Sequence, residues 1–420
     1  MGFQTIKHQV IQFTTSGFSK KIVVLLLLSG FCLLACKKRG GGEPAPEEQE
    51  IVPELSTVKS WLVDQNATQE TAWLFYNMKV VAKKNILFGH QDATKRGVVN
   101  ASTSWANEQH LPVISKEKSD VKEVTGSFPV VYGHDFNYIA GWAEGGWFDY
   151  ERQIAKELTI EAYNRGGINT YSWHYANPVS KGSFNWNESP VEAVSKILPG
   201  GSHHEVYKGS LKQIADYAKS LIGADGKLVP IIFRPFHEMD GNWFWWGKTH
   251  CTPAQYKQLF QFTVSYLRDE LGVHNFLYCW SPGGDYISST QYFEFYPGDE
   301  FVDVLGTDNY GLNSSTSNTT ISNKLKIVSD YAKQKNKIAA FTEAGQQNLT
   351  IPDWYTQKLL AILQLQKIEM AYVLVWANTT SAYWTPYKSH PAEADFIQFK
   401  NSSYVMFASE IKRPVYTRPQ

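Results

Sequence analysis

Short apolar segments that end in polar residues recur eight times along the chain between residues 86 and 376. They span residues 86–90, 129–135, 167–174, 229–234, 276–280, 302–308, 338–343 and 372–376. Nearly continuous apolar strands are typical of a parallel sheet that is buried on both faces. We therefore predict eight parallel strands.

Helical patterns separate these strands. Apolar residues at helical spacing predict helices over 149–165, 207–222, 253–271, 321–334, 353–366 and 392–407. Thr252 is a suitable N-cap for the third helix, because Pro253 follows in its first turn. The alternation predicts a single α/β domain over residues 51–415, folded as a (β/α)8 TIM barrel. An open doubly wound sheet is the alternative, but no glycine-rich phosphate loop follows the first strand.

The segments that follow the strands are unequal in length. Segment 135–149 contains Tyr138 and Trp147, and segment 175–206 is longer still. Extended loops at the carboxyl face of a barrel build its substrate cleft. We expect both loops to shape that cleft and to decide whether it is open for mid-chain attack or blocked for chain-end attack.

Charge and composition narrow the range of functions. The 420 residues include 40 basic and 40 acidic residues without a basic stripe, so nucleic acid is not an expected partner. Aromatic residues make up 14% of the chain and include 14 Trp. Some of these rings must belong to the core, but so many Trp residues favour a surface that binds glycans.

The start of the chain, 1–35, has the pattern of a signal peptide. Lys20 and Lys21 precede an apolar run over 22–34, which is too short for a comfortable membrane span. The run leads into Leu33-Leu34-Ala35-Cys36, which resembles the lipobox of bacterial lipoproteins. We expect cleavage before Cys36, acylation of its thiol and attachment to a membrane. An ordinary secretory signal is the alternative.

Residues 36–50 are rich in Gly, Pro and charge, which predicts a flexible tether. Some Gram-negative lipoproteins reach the cell surface through acidic residues directly after the lipidated Cys, whereas here those positions are basic. This comparison favours an outer-membrane anchor that faces the periplasm, with the cell surface as the alternative.

Two cysteines, Cys251 and Cys279, lie within the predicted domain. An oxidising compartment permits a disulfide between them, and two thiols are an equal alternative. Neither cysteine has the spacing of a metal site or of a Cys-His nucleophile.

The most informative segment follows the fourth strand and reads Arg234-Pro-Phe-His-Glu-Met-Asp-Gly-Asn-Trp-Phe-Trp-Trp-Gly247. Barrels place their chemistry at such strand ends, and glycoside hydrolysis needs two carboxyl groups that flank the scissile bond. Glu238 ends the fourth strand, and Glu343 ends the seventh. These ends face each other across the mouth of an eight-stranded barrel, so we predict a catalytic pair. A plain salt-bridge role is the alternative.

The chain resembles glycoside hydrolase family 26, in the clan of retaining (β/α)8 enzymes with catalytic Glu residues at strands four and seven. The resemblance rests on segment 234–247, with Gly89-His-Gln-Asp92, Val131-Tyr-Gly-His-Asp135, Thr307-Asp-Asn-Tyr310, Phe341-Thr-Glu-Ala-Gly345 and Trp376 in matching order. It implies that Glu238 is the general acid/base and that Glu343 is the nucleophile. A retaining reaction requires about 5 to 5.5 Å between the two carboxyl groups.

The resemblance also implies substrate contacts. His174 and His237 match positions that contact the sugar under attack. Tyr310 matches the tyrosine that hydrogen-bonds the nucleophile. Trp243 and Trp376 match aromatic platforms on either side of the cleavage point.

Four further residues are candidates for the cleft. Arg234 either holds the carboxylates electrostatically or forms a structural ion pair within the barrel. His134, Asp135 and Asp285 are weaker candidates. We expect neither a metal nor a cofactor in the reaction, and we expect a monomer.

The family mostly cleaves β-1,4-mannans, and minority branches cleave mixed-linkage β-glucan or β-1,3-xylan. The pattern resembles the mannanase branch best, which implies a mannan, galactomannan or glucomannan substrate. Ala377-Asn378 stands where some members have an Arg after the eighth-strand Trp, which puts the strength of distal subsites in doubt. The alternatives are a β-1,3-1,4-glucanase on the same scaffold and a non-catalytic glycan-binding lipoprotein.

Overall fold

A computed structural model describes residues 51–107, 115–141 and 145–419 of the protein. The predicted signal peptide 1–35, the lipidation site Cys36 and the tether 36–50 lie outside the described residues. No helix of the described residues is both long and apolar enough to span a membrane.

Eight parallel strands in the described part of the chain form a sheet that closes on itself. They are β1 (Ile86–Gln91), β2 (Val131–Asp135), β3 (Ile168–Trp173), β4 (Ile231–Pro235), β5 (Phe276–Trp280), β6 (Val304–Asn309), β7 (Ile338–Ala344) and β8 (Tyr372–Val375). Each strand pairs with the next in sequence, and β8 pairs with β1 in the register Leu87↔Tyr372. This closure confirms the predicted (β/α)8 barrel.

The barrel strands are buried on both faces. Every residue of the eight strands is buried except Asp135, which ends β2 at the mouth. The inner side chains fill the barrel and the outer ones pack against helices, which explains why the strands have continuous apolar sequences.

Helices follow the strands around the outside. The α-helices of the described residues are α1 (Leu55–Lys59), α2 (Gln69–Ala82), α3 (Asp120–Thr125), α4 (Gly146–Asn164), α5 (Val194–Ile197), α6 (His204–Ser220), α7 (Pro253–Ser265), α8 (Ser289–Tyr292), α9 (Asn318–Gln334), α10 (Ala361–Gln364) and α11 (Glu393–Lys400). Wider π-helical turns over Tyr266–Glu270 and Tyr355–Leu360 extend α7 and precede α10. Thr252 caps α7 as predicted, because its side chain accepts from the Gln255 backbone N–H at 3.2 Å.

The structure departs from the sequence prediction near the chain end. The helix predicted over 392–407 ends at Lys400. The next residues are Asn401-Ser-Ser, whose short polar side chains compete with helical backbone bonds. The chain then forms a short strand, Val405–Met406, which pairs with the start of β1. A hairpin of Arg96–Asn100 and Thr103–Ala106 after β1 was not predicted either.

Candidate active site

Arg234, near the end of β4, lies at the centre of the polar groups beneath the barrel mouth. Its Nη1 donates to Asp308 Oδ2 at 2.6 Å and to Ser281 Oγ at 3.1 Å, and its Nη2 donates to Glu343 Oε1. Burial opposes the guanidinium charge, but Asp308 and Glu343 outweigh it and raise the pKa of Arg234 well above its ordinary value. Arg234 therefore forms buried ion pairs with Asp308 and Glu343 within the barrel and, through Glu343, holds one of the two predicted catalytic carboxyl groups.

Glu343, at the end of β7, has a donor at each carboxylate oxygen. Arg234 donates to Oε1, and the Tyr310 hydroxyl donates to Oε2 at 2.6 Å. The side chain is buried beside these donors. Two donors, one of them cationic, fix the orientation of the carboxylate and stabilise its negative charge.

Glu238 has contrasting surroundings. Its backbone has a φ of 55°, in the left-handed region, and its N–H donates to Ser281 O at 2.9 Å. The indole Nε1 of Trp243 donates to Glu238 Oε2 at 2.8 Å. Burial, followed by repulsion from the Glu343 charge, raises the pKa of Glu238 to about 8. Glu238 is therefore protonated at neutral pH.

His237 directly precedes Glu238 in sequence and lies close to Glu343 in space. It is buried, and its Nε2 lies 4.0 Å from Glu343 Oε1. Burial, together with the positive charges of Arg234 and His174, lowers the pKa of His237 well below its ordinary value. A neutral imidazole therefore stands next to Glu343.

His174 follows β3 and is held by Asp135. Its Nδ1 donates to Asp135 Oδ2 at 2.5 Å, and its backbone N–H donates to Oδ1 at 3.1 Å. Burial opposes protonation, but the Asp135 charge outweighs it and raises the pKa of His174. The His174 ring meets the His237 ring edge to face, with the ring centroids 4.7 Å apart. Asp135 therefore acts through His174 and orients it.

The mouth of the barrel contains two adjoining cavities. The first, here called the carboxyl chamber, has a volume of about 820 Å³ and is lined by Glu238, Glu343, Trp243, Tyr310, Asp285 and Lys324, among others. The second, the side chamber, has a volume of about 420 Å³ and includes Asp92, Lys95, His134, Asp135 and Tyr138 in its wall. His174, Trp376 and Trp384 line both cavities, so the two adjoin each other at these residues.

The tryptophans after β4 divide between cleft and core. Trp243 is 40% exposed and lines the carboxyl chamber. A side chain at Gly241 would overlap its ring, so this glycine allows the indole to lie close to the backbone. Trp245 and Trp246 are fully buried, and their Nε1 groups donate to backbone carbonyls. Of these three tryptophans, Trp243 therefore provides a surface in the cleft, and Trp245 and Trp246 belong to the core beneath it.

The weaker candidates occupy different places. Asp285 lines the carboxyl chamber. His134 is buried at the side chamber, where its Nε2 donates to Asn169 Oδ1 at 2.9 Å and its ring stacks on Tyr171. Burial lowers the pKa of His134 to about 4. Asn169 and Tyr171 both hydrogen-bond Thr159 of α4, so the contacts of His134 are with the layer between the strands and that helix.

The sequence prediction missed two residues of the site. Asp308 binds Arg234 and also accepts from Thr342 Oγ1 at 2.5 Å. Its position in the motif 307–310 at a strand end was the available signal. Trp384 lines both chambers and packs on Gly345, and nothing in its local sequence distinguishes it from a core Trp.

Three of these groups also have the spacing of a cation site. One ligand atom each from His237, Asp308 and Glu343 lies within 4.8 Å of the others. Both carboxylates already accept from Arg234. A fixed guanidinium thus supplies the positive charge that a metal ion would otherwise provide.

The cysteines of the described residues are both free thiols. Cys279 is buried in β5, and Cys251 Sγ donates to Trp246 O at 3.4 Å. Burial raises the pKa of Cys251 to about 12, so the thiol is not ionised at neutral pH. Of the two alternatives for this pair, the structure supports the thiols.

The site combines a protonated carboxyl group, a carboxylate held by two donors, and exposed aromatic rings in one cleft. A proton donor beside a fixed carboxylate can protonate a leaving group while the carboxylate attacks the same carbon centre.

Comparisons with known proteins agree along most of the chain. The sequence model of Glycosyl hydrolase family 26 matches residues 63–401. A mannan endo-1,4-beta-mannosidase of Bifidobacterium adolescentis is 36% identical over 83% of this chain, which spans 35% of that longer protein. The protein of the same name from Bacillus subtilis strain 168 is 30% identical over 67% of this chain and 75% of its own length.

Solved structures show the same architecture. GH26C from a Muricauda species is 35% identical and superimposes with a TM-score of 0.81, covering 88% of this chain and 99% of that one. The GH26 beta-mannanase BoMan26A from Bacteroides ovatus is 34% identical, with a TM-score of 0.76 over 83% of this chain and 98% of its own.

Proposed function

The chain belongs to glycosyl hydrolase family 26, and from that premise we propose that it is an endo-acting β-1,4-mannanase with a retaining mechanism. The observation that carries the proposal is the unlike pair of carboxyl groups. Glu238 has a pKa raised to about 8, whereas Glu343 accepts from Arg234 and Tyr310. The names of the relatives from Bifidobacterium and Bacillus support the mannan substrate.

In the first step, the Glu343 carboxylate attacks the anomeric carbon of the bound mannosyl unit. The bond between that carbon and the glycosidic oxygen breaks, and a bond from the carbon to the Glu343 carboxylate forms. Glu238 gives its proton to the departing oxygen, which leaves as a hydroxyl group on the released sugar chain. The enzyme then carries a glycosyl ester on Glu343 and a carboxylate on Glu238.

In the second step, Glu238 takes a proton from a water molecule as the water oxygen bonds to the anomeric carbon. The ester bond to Glu343 breaks, and both carboxyl groups return to their starting states. Esterification removes the Glu343 charge, which is the second cause of the raised Glu238 pKa. The pKa of Glu238 therefore falls at the stage where this group must be ionised to act as a base.

The surrounding residues support these two steps. Arg234 and Tyr310 hold the Glu343 carboxylate in place. Their two hydrogen bonds must weaken when Glu343 loses its negative charge on forming the ester. His174 and His237 line the carboxyl chamber, where their imidazole groups can contact the bound sugar. Trp243 provides a flat apolar surface on the Glu238 side, suited to the C–H face of a sugar ring.

The shape of the cleft supports mid-chain attack. The carboxyl chamber and the side chamber adjoin each other at His174 and Trp376. A polysaccharide chain can therefore extend to both sides of the bond that is cut. A time course of product lengths tests this: a ladder of oligosaccharides is expected, and early accumulation of one short product would argue for chain-end attack.

Side-by-side assays test the substrate and the catalytic pair. We expect reducing-sugar release from mannan, and activity on mixed-linkage β-glucan alone would favour the glucanase alternative.

Glu343→Ala should abolish turnover, and Glu205→Ala, at an exposed position on α6, is the matched control. Glu238→Ala should lose most activity on mannan but keep more on an aryl mannoside whose leaving group needs no proton. Full turnover by Glu343→Ala would contradict the assignment of Glu343 as the nucleophile, whereas a wild type that binds mannan but releases no reducing sugar would favour the non-catalytic glycan-binding alternative.

We also propose that acylated Cys36 anchors the enzyme in the outer membrane, facing the periplasm, as a monomer. The motif at 33–36 supports the anchor. Metabolic labelling with a fatty acid should mark the wild type and not Cys36→Ala. Protease treatment of intact cells distinguishes a periplasmic from a surface location, and light scattering of the domain reports its oligomeric state.

A further inference from the structure

The exposed aromatic side chains of the described residues share one location. Among the aromatic residues that the structure describes, only Tyr138, Trp147, Trp243 and Tyr310 are exposed. All four follow the carboxyl ends of barrel strands. Trp243 and Tyr310 belong to the carboxyl chamber, which leaves Tyr138 and Trp147 without a role in the reaction described above.

These two residues form a pair. Their rings meet edge to face with centroids 4.8 Å apart, and Trp147 is 50% exposed. Phe148 adds a third ring, 5.4 Å from Trp147. Single exposed apolar residues are common on protein surfaces, but neighbouring aromatic rings beside a cleft are typical of binding sites.

The loop presents Tyr138 outward from a firmly packed turn. Phe136 and Ile139 are buried on either side of it. The Ile139 backbone N–H donates to Phe136 O at 3.0 Å, and Ile139 O accepts from Arg152 Nε at 2.9 Å. A ring that is held in advance loses little conformational entropy on binding.

The pair is continuous with the substrate cleft. Tyr138 lines the side chamber, which meets the carboxyl chamber at His174 and Trp376. Polar groups line the wall between, including the ion pair of Lys95 with Glu151 at 2.6 Å. Such groups suit the hydroxyl edges of sugars.

The direction of the bound chain follows from the proposed roles. Glu238 protonates the leaving oxygen, so the released part of the chain lies on its side, with Trp243 in the carboxyl chamber. The side chamber contains neither residue in its wall. The side chamber is then the place for the part of the chain that stays bonded to Glu343, the glycone part. Tyr138 belongs to the wall of this chamber, and Trp147 contacts Tyr138.

We propose that Tyr138 and Trp147 form an outer glycone subsite, here called the outer platform, which binds mannosyl units of the same chain beyond the side chamber. The inference rests on the proposed function. It supplies binding for long chains by aromatic stacking. The outer platform contacts substrate far from the scissile bond and takes no part in proton transfer.

Substrate length separates this role from a structural one. We expect Trp147→Ala and Tyr138→Ala each to lower kcat/KM on mannohexaose by about tenfold, mainly through KM, while kcat/KM on mannotriose stays within about twofold of the wild type. Trp147→Phe should recover part of the loss. Leu365→Ala, which removes a side chain exposed to 51% between α10 and β8, is the matched control and should leave both substrates unaffected.

The position of the cut provides a second readout. Mannohexaose labelled with ¹⁸O at its reducing end should be cut by the variants with fewer sugar units on the glycone side. Equal losses on both substrates, or no change in KM and cutting position, would overturn the outer platform. A wild-type enzyme that does not cleave mannohexaose at all would instead overturn the proposed function.

Discussion

The carboxyl group of Glu238 is surrounded by features that oppose its ionisation. It lies in a low-dielectric pocket near the Glu343 charge, and the Trp243 indole N–H partly offsets these effects. Its backbone also adopts a φ of 55°, which is uncommon for a residue with a side chain. Strain of this kind is often found at functional sites, where the rest of the fold maintains it.

The pH dependence of the reaction should report this carboxyl group. Because the pKa of Glu238 is raised to about 8, it remains a proton donor at neutral pH and loses its proton as pH rises through about 8. We expect kcat/KM on mannan to fall on that basic limb. Measuring kcat/KM on mannan across the pH range tests this expectation. A loss of activity that already begins near pH 5 as pH rises would contradict the assignment of Glu238 as the acid.

Trp243→Phe separates two roles of one side chain. Phenylalanine keeps an apolar ring but cannot donate to Glu238 Oε2. The lost hydrogen bond stabilised the ionised form, so the pKa of Glu238 should rise and the basic limb should move to higher pH. Trp243→Ala is the comparison, because it should also raise KM. An unshifted limb in the Phe variant would show that the indole N–H does not influence the acid.

Glu238→Gln should stabilise the fold while it removes activity. In the folded state the pKa of Glu238 is raised to about 8, and in an unfolded chain it is about 4.3. The contribution of Glu238 to the free energy of unfolding is fully present below its pKa in the unfolded chain. It is lost as pH rises from that value through the pKa in the folded state. Thermal melting should therefore favour Glu238→Gln at pH 7 by a few degrees, and the gain should vanish at pH 4.

At the scale of secondary-structure elements, Arg234 joins three strands of the barrel. It starts from β4 and binds Asp308 of β6 and Glu343 of β7. The contacts span 74 and 109 residues of sequence. One cation thus pairs with two buried carboxyl groups and connects the strand ends that carry the site, while burial and the Glu343 charge still raise the pKa of Asp308 well above its ordinary value.

Loss of this cation should destabilise the barrel. Arg234→Gln leaves Asp308 and Glu343 buried without their countercharge, which should lower the free energy of unfolding by about 3 kcal/mol or more. Arg418→Gln breaks a 2.9 Å ion pair at a half-exposed Arg and should cost below about 1 kcal/mol. Urea unfolding measures both. Equal losses in the free energy of unfolding for the two variants would mean that burial does not increase the contribution of the Arg234 ion pairs.

At the scale of the whole molecule, the two ends of the domain meet at the amino face of the barrel, opposite the cleft. The Tyr416 hydroxyl donates to Gly167 O at 2.6 Å, just before β3. Arg418 pairs with Glu54 near the start of the domain. In this fold the amino face contributes to stability and the carboxyl face contains the chemistry.

Tyr416 variants should therefore change stability without changing catalysis. Tyr416→Phe removes one hydrogen bond and should cost about 1 kcal/mol. Tyr416→Ala also leaves a cavity at a buried ring and should cost about 3 kcal/mol or more. Melting temperatures should fall in that order, with kcat on mannan unchanged at 25 °C. A matching fall in kcat would show that the amino face is coupled to the site.

The barrel and the positions of Glu238 and Glu343 could be predicted from the amino-acid sequence, because strand burial and strand ends are encoded in short local patterns. The same local patterns overextended the last helix, since the pairing of Val405–Met406 with β1 is a long-range contact. The folded structure was needed to show that Trp245 and Trp246 belong to the core and that Asp308 binds Arg234. It was also needed to show what raises the pKa of Glu238 and that Tyr138 contacts Trp147. Burial, pKa and ring contacts depend on neighbours that are distant in sequence, so these properties exist only after the strands have closed.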